Sequence, residues 1–183
     1  MTQIKKLLEL PYPGLTLRNI RSSDAEHWYA YLKNPDVIRH TSWNPGGADD
    51  LLPQLRSFEN DAASSPIRLA IVRQADDQLI GTVGFHTVSD LNRSAELAYD
   101  MAPEYWGQGI MRLAATALCE WGFHEAGYNR IQATVLESNS NSCKVLERMG
   151  FQREGYLRAF RMVRGKPGNF WIYALIHPEL VSK

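Results

Sequence analysis

Alternating apolar and polar residues predict a strand near the start of the chain. From Leu15 to Ile20 every second side chain is apolar, which is typical of a half-buried strand. Ser and Asp at the start of the stretch 22–32 are N-cap candidates and predict a helix there. A stretch rich in Pro and Gly at 34–50 ends that helix and precedes a weaker one around Asp50 to Asn60. The chain therefore opens with a strand and a helix and continues into its least regular segment.

Three further strands are predicted in the middle of the chain. The runs at 67–73 and 79–88 are joined by QADDQ, and their Ile, Val and Thr content is typical of an antiparallel hairpin. The run at 94–101 adds a strand that ends before Pro103.

The strongest helical pattern begins at Ile110, where apolar residues recur at helical spacing as far as Trp121, and Gly127 closes the helix. A strand at 130–136 follows. Next comes a short helix that ends at Gly150 and has one inward stripe, formed by Ser142, Val145, Leu146 and Met149.

Two strands, at 151–157 and 169–176, complete the predicted elements. No repeat, linker or low-complexity tract separates any of these elements. We therefore predict that residues 1–183 form a single α/β domain with a mixed sheet.

Composition and charge exclude several classes of partner. Lys plus Arg equals Asp plus Glu at 20 each, so no net charge attracts nucleic acid or a membrane surface. The N-terminus lacks the pattern of a signal peptide, and no apolar run approaches the ~18 residues of a transmembrane helix. Cys119 and Cys143 lack metal-ligand spacing. We expect a cytoplasmic protein with two reduced thiols and no metal site.

Gly107 and Gly109 lie between a predicted strand and the strongest predicted helix. A helix N-terminus that no side chain blocks is an anion site, because its first N–H groups have no partners. The position of a third Rossmann glycine is Arg112, and Ile110 and Met111 replace the Lys and hydroxyl of a Walker A loop. A phosphate-binding turn and a turn used only for packing remain as alternatives.

The segments PEYWGQGIMRLAATALCEWGF and NRIQATVLESNSNSCKVLERMGFQREGYLR resemble the GNAT superfamily of acetyl-CoA-dependent N-acetyltransferases, and within it the Rim-type, ribosomal-protein N-terminal acetyltransferase branch. The resemblance implies an α/β (α+β) fold with a mixed, mostly antiparallel sheet, flanking helices and acetyl-CoA between two splayed central strands. It also implies that the glycine turn holds the coenzyme pyrophosphate, although Glu104 stands where Arg or Gln is usual.

The resemblance further implies the coenzyme contacts and one catalytic group. The expected acetyl-CoA contacts are Met101, Trp106, Gly107, Gln108, Gly109, Ile110, Met111, Asn139 and Ser142. Ser142 stands where the branch places a hydroxyl near the coenzyme sulfur. Its alternative role is helix capping, because Asn139 to Ser142 are all good N-cap residues.

The reaction implied is direct attack of a primary amine, at a protein N-terminus or on a small molecule, on the acetyl thioester. Arg161 stands where some relatives carry a Glu, so the role of proton acceptor must pass to another residue or be absent, with water as the final acceptor. Glu96 is the first candidate and His86 the second, while a sheet-edge or structural position is the alternative for each. A coenzyme-A-binding regulatory module that has lost its base is the alternative function.

Acceptor binding is expected to involve Trp43, His86 and Arg161. A simple packing position is the alternative for Trp43, which lies in an irregular segment flanked by Pro and Gly. Asn169 stands where the branch usually carries an Asp, so two carboxylates are missing and one Arg is gained. This change favours an acceptor with an acidic group over a polycation. We expect a monomer or a homodimer.

Overall fold

The computed structural model describes residues 4, 8–41, 43–59 and 65–181 and contains a sheet of seven strands. These are β1 (Leu15–Asn19), β2 (Ile67–Arg73), β3 (Leu79–Ser89), β4 (Ser94–Met101), β5 (Arg130–Leu136), β6 (Gln152–Val163) and β7 (Lys166–Ile176). Their order across the sheet is β1-β2-β3-β4-β5-β7-β6. Adjacent strands are antiparallel except β4 and β5, so the predicted mixed, mostly antiparallel sheet is confirmed.

The described helices are α1 (Ala25–Leu32), α2 (Pro35–Ile38), α3 (Leu52–Phe58), α4 (Ile110–His124), α5 (Ser140–Arg148) and α6 (Pro178–Val181). The helix predicted from Ile110 is confirmed and provides the crossover between the parallel strands β4 and β5. Pro53 lies in the first turn of α3, where a missing N–H is tolerated. The predicted end of this helix near Asn60 lies outside the described residues.

Each face of the sheet carries its own apolar core. On one face α4 and α5 pack through residues that include Ile110, Ala114, Leu118 and Leu146. On the other face α1 to α3 pack through Trp28, Leu32, Leu51 and Leu55. The predicted inward stripe of α5 is confirmed, because Leu146 is fully buried and Val145 and Met149 pack beside it. Strand β4 therefore presents alternate side chains to two different environments.

Strands β4 and β5 separate after a short paired stretch. Ser94 to Glu96 pair in parallel with Arg130 to Gln132, and no register continues beyond that point in the described residues. The later residues of β4 then border a gap in the middle of the sheet. This gap is the splay of two central strands that the resemblance implied.

The last two strands are longer than the sequence pattern predicted. β6 and β7 form a hairpin whose turn consists of Arg164 and Gly165, at φ angles of 52° and 77°. Two consecutive positive φ values match the right-handed twist of the flanking strands. The prediction ended the sixth strand at residue 157 because a bulge between Leu157 and Arg161 interrupts its alternation.

The described helices include none long and apolar enough to cross a bilayer. Cys119 and Cys143 are buried and free, as predicted. In the described part of the chain, no group of three or more His, Cys, Asp or Glu side chains is placed to hold a metal ion.

Candidate active site

The glycine turn leads directly into α4 and leaves its N-terminus open. Gly107 and Gly109 have φ angles of 75° and 79°, a conformation that L side chains rarely adopt. Within the described residues, no side chain caps α4, and the first backbone bond onto the turn runs from Leu113 N to Gly109 O at 3.2 Å. The preceding N–H groups are therefore available to an anion, where the helix dipole is positive.

Side chains around the turn hold its shape. Trp106 Nε1 donates to Met101 O at 2.8 Å and ties the turn to the end of β4. Gln108 donates to Glu104 O at 2.9 Å and accepts from Tyr12 at 3.0 Å. Ile110 and Met111 point into the core, so these two predicted coenzyme contacts can be made only by their backbone.

Ser142 lies on α5 and reaches across the gap to β4. Asn139, not Ser142, caps α5, because its side chain accepts from Ser142 N at 3.1 Å. The capping alternative for Ser142 is therefore wrong. Its hydroxyl oxygen instead lies 2.8 Å from the phenol oxygen of Tyr99. We call Tyr99 and Ser142 the hydroxyl pair.

Tyr99 was missed by the sequence analysis. Burial, the largest effect, raises the pKa of its phenol well above the ordinary value, so the group stays protonated and remains a hydrogen-bond donor. The alternation along β4 could have indicated it, because Tyr99 faces the side opposite Glu96 and lies near the end of the strand that leads to the glycine turn. What the sequence could not show is that α5 brings Ser142 to it.

Glu96 lies at the last position at which β4 pairs with β5. Its side chain is on the face of the sheet opposite the hydroxyl pair. Its Oε1 accepts from Thr134 Oγ1 at 2.7 Å and from Arg161 at 3.1 Å, and it lies 3.3 Å from His86 Nε2. The Glu96 side chain is 9% exposed, against 32% for each of His86 and Arg161. We call these four residues the Glu96 cluster. It unites three predicted site residues and adds Thr134, which the sequence analysis did not identify.

Two bulges bring the flanking side chains to Glu96. On β3 the register shifts between Phe85 and Thr87, and His86 is the extra residue. On β6 the register shifts between Leu157 and Arg161. A bulge breaks strand alternation and redirects a side chain. His86 and Arg161 can therefore reach the same carboxylate although they lie on strands on opposite sides of β4.

The pKa of Glu96 is lowered to about 2. Burial alone would raise it, but hydrogen bonds from His86 and Thr134 and the charge of Arg161 outweigh that effect. The contribution of His86 as a charge requires a protonated ring. A carboxylate this acidic is ionised throughout the neutral range and is a weak proton acceptor. This argues against the predicted use of Glu96 as a general base.

Comparison with known proteins places this geometry in a family. A family model described as "Acetyltransferase (GNAT) domain" matches residues 14–152. This chain belongs to the GNAT acetyltransferases. It is 32% identical over 167 residues to N-acetyltransferase YoaA of Bacillus subtilis (strain 168), covering 90% of this chain and 94% of that protein. It is 30% identical over 174 residues to a putative ribosomal N-acetyltransferase, YdaF, of the same strain, covering 90% and 92%.

A solved structure shares the fold of this acetyltransferase. Spermidine N-acetyltransferase from Vibrio cholerae, in complex with CoA and spermine, aligns with a TM-score of 0.80 at 22% identity over 93% of this chain and 100% of that one. The sequence relatives and the family identify this chain as an acetyl-CoA-dependent N-acetyltransferase, and they favour the enzyme over the regulatory module.

The residues present fit acetyl-CoA. An uncapped helix N-terminus behind two glycines suits a pyrophosphate, and the gap between β4 and β5 leads from that turn to the hydroxyl pair. Glu104, which stands where the family's turn usually carries Arg or Gln, is exposed, and its backbone oxygen accepts a hydrogen bond from Gln108. Backbone N–H groups remain the donors that the turn offers.

Trp43 and Asp100 lie on the same side of the sheet as Glu96, and both are engaged in contacts within the fold. Trp43 packs edge-on against Trp28 with ring centroids 5.5 Å apart, and it is partly buried. Asp100 accepts from Trp28 at 3.0 Å, Arg68 at 2.6 Å, Thr82 at 2.9 Å and Tyr31. The hydrogen bonds to Asp100 tie α1 to the sheet. The contact of Trp43 with Trp28 supports the packing alternative for Trp43.

Proposed function

We propose that this acetyltransferase moves the acetyl group directly to a primary amine, with coenzyme and acceptor entering from opposite faces of the sheet. One observation carries the proposal. The hydroxyl pair and the Glu96 cluster project from opposite faces of β4, where β4 and β5 separate. The gap therefore joins a side with neutral donors to a side with an ionised carboxylate.

On the coenzyme side, Ser142 donates a hydrogen bond to the departing sulfur. Tyr99 positions Ser142: the two hydroxyl oxygens lie 2.8 Å apart, and either can donate. We assign the protonated phenol as the donor, an arrangement that leaves the serine hydrogen free to point into the gap. Preformed donors aimed at developing charge stabilise a transition state without reorganisation. Acetyl-CoA supplies the activated acetyl group. The acceptor nitrogen gains the bond to carbon that sulfur loses, and the second proton lost by the nitrogen balances the one gained by the released thiol.

On the acceptor side, Glu96 binds the incoming amine as an ion and does not take its proton. Its lowered pKa keeps the carboxylate ionised throughout the neutral range, so it carries the negative charge with which an ammonium group pairs. Before attack the ammonium loses a proton to solvent, because Glu96 is too acidic to accept it and both ring nitrogens of His86 are already engaged, Nε2 with Glu96 and Nδ1 with Thr87. His86 orients the carboxylate through its Nε2 while Thr87 contacts its Nδ1 at 2.8 Å.

The relatives differ in the acceptors that their names state. YdaF is named a putative ribosomal N-acetyltransferase, and the Vibrio cholerae structure is a spermidine N-acetyltransferase. Both names describe transfer of an acetyl group to nitrogen, and we propose that chemistry for this chain with a primary amine as the acceptor.

The test is release of free thiol from acetyl-CoA with a panel of peptides, polyamines, amino acids and aminoglycosides. Ser142→Ala should lower kcat on the best acceptor by about 100-fold, as expected for loss of one oriented donor. The dissociation constant of acetyl-CoA should change little. Ser140→Ala is the matched control, because Ser140 is exposed on the same turn. A Ser142→Ala enzyme with unchanged kcat would refute the assigned role.

A further inference from the structure

We infer that Glu96 and Arg161 together recognise an acceptor that carries a carboxylate beside its amine, as a free amino acid does. The inference rests on the proposed function and names the substrate class of the same site. Glu96 would bind the ammonium and Arg161 the carboxylate.

Glu96 has one oxygen in use and one to offer. The contacts from Thr134, Arg161 and His86 all go to Oε1. Among the described residues, Oε2 accepts no hydrogen bond. It is also not fully buried, because Arg68 Nε is the one fully buried side-chain polar atom of those residues that lacks a partner. Oε2 can therefore accept a donor from a bound ligand.

Arg161 likewise has donors to spare. One terminal nitrogen donates to Glu96, and the side chain keeps 32% of its surface exposed. Its guanidinium lies over the rings of Phe160, at 4.8 Å, and Phe170, at 5.9 Å, which fixes its plane. A guanidinium carries five N–H donors in a planar fork that matches a carboxylate.

The backbone that positions Arg161 is strained and supported. Within the β6 bulge, Ala159 has a φ angle of 49°, which is unusual for a residue other than glycine. Asn169 accepts from Ala159 N at 2.9 Å and donates to Glu137 at 3.1 Å, which holds this conformation. Asn169, which replaces the family's Asp, therefore supports the bulge that places Arg161 on Glu96. Strain maintained in this way is typical of a functional position.

The neighbouring charges of Glu96 and Arg161 favour an acceptor that carries a positive group next to a negative one. A polyamine would gain the attraction of Glu96 but would meet the positive charge of Arg161, so its binding is weakened. A free amino acid satisfies both groups, because its carboxylate is two bonds from its amine. Its C-terminal amide keeps the amine and loses the negative charge, which makes acid and amide a matched pair.

The experiment compares the L-amino acids with their C-terminal amides in wild type, Arg161→Gln and Arg161→Lys. For the best amino acid, wild type should favour the acid over its amide by at least about tenfold in kcat/KM, as expected for a charge-assisted contact. Arg161→Gln should bring that ratio close to one, and Arg161→Lys should restore part of it. Arg158→Gln removes an exposed charge from the same strand and should leave the ratio unchanged.

Calorimetric binding to the CoA-loaded protein gives a second readout that does not require turnover. Tighter binding of the acid than of the amide, lost in Arg161→Gln, supports the inference. Equal use or binding of acid and amide, or a ratio unchanged in Arg161→Gln, overturns it and shows that the pair only links β4 to β6. Absence of thiol release with every amine, while acids still bind selectively, would refute the proposed function and leave the recognition site supported.

Discussion

The two faces of β4 offer different chemistry to the two ligands that we propose for them, acetyl-CoA and the amine acceptor. The coenzyme side offers neutral donors: backbone N–H groups at the glycine turn and the hydroxyls of Tyr99 and Ser142. The acceptor side is ionic, with Glu96 against Arg161. Neutral donors suit a side where negative charge develops during the reaction, because they need no counter-charge beforehand. The ionic side suits a group that arrives already charged.

The turn offers the strongest test of the neutral side. Gly109→Ala places a side chain at a φ angle of 79°, which costs about 1–2 kcal/mol and should weaken acetyl-CoA binding about tenfold. Calorimetric titration with acetyl-CoA measures this loss. Gly165→Ala imposes a similar strain, at a φ angle of 77°, in the β6–β7 hairpin and should leave acetyl-CoA affinity unchanged. Equal losses in both variants would attribute the effect to general destabilisation.

The hydroxyl pair can be separated by a double-mutant cycle. Tyr99→Phe removes one neutral hydrogen bond worth about 1 kcal/mol, so kcat should fall about fivefold. Because Tyr99 acts through Ser142, adding Tyr99→Phe to Ser142→Ala should cost little more than Ser142→Ala alone. Additive losses would contradict the positioning role. Tyr128→Phe is the matched control, since Tyr128 is another buried tyrosine and packs on Phe85.

The ionisation of Glu96 should make the free energy of unfolding depend on pH. The pKa of Glu96 is near 2 in the folded protein and near 4.5 when the group is unperturbed, so its ionisation stabilises the fold above pH 4.5. This contribution disappears as the pH falls from 4.5 towards 2. Urea unfolding should therefore show wild type more stable than Glu96→Gln at pH 7, by about 1 kcal/mol.

That difference should shrink at pH 3. Glu120→Gln, an exposed position on α4, should give a small difference that hardly changes with pH. A Glu96→Gln difference that stays constant between pH 7 and pH 3 would show that Glu96 is not held as a strongly acidic carboxylate.

Local pattern was enough to predict the elements to which we assign coenzyme binding. Helix α4 and its glycine turn follow from helical spacing and from two glycines, both properties of neighbouring residues. The strand pattern of β2 to β5 is equally local. The hairpin of β6 and β7 was shortened in the prediction because a bulge has no reliable local signature.

By itself the sequence indicated the family, the glycine turn as a candidate coenzyme site, and Ser142, Glu96, His86 and Arg161 as candidate functional residues. Only the tertiary structure decided which of them meet. Ser142 pairs with Tyr99 because α5 packs beside the gap, and His86 and Arg161 reach Glu96 because two bulges redirect them. These contacts join residues that are far apart along the chain: Tyr99 and Ser142 are separated by 43 positions, and Glu96 and Arg161 by 65. Such contacts depend on strand register and packing, which strand alternation alone does not encode.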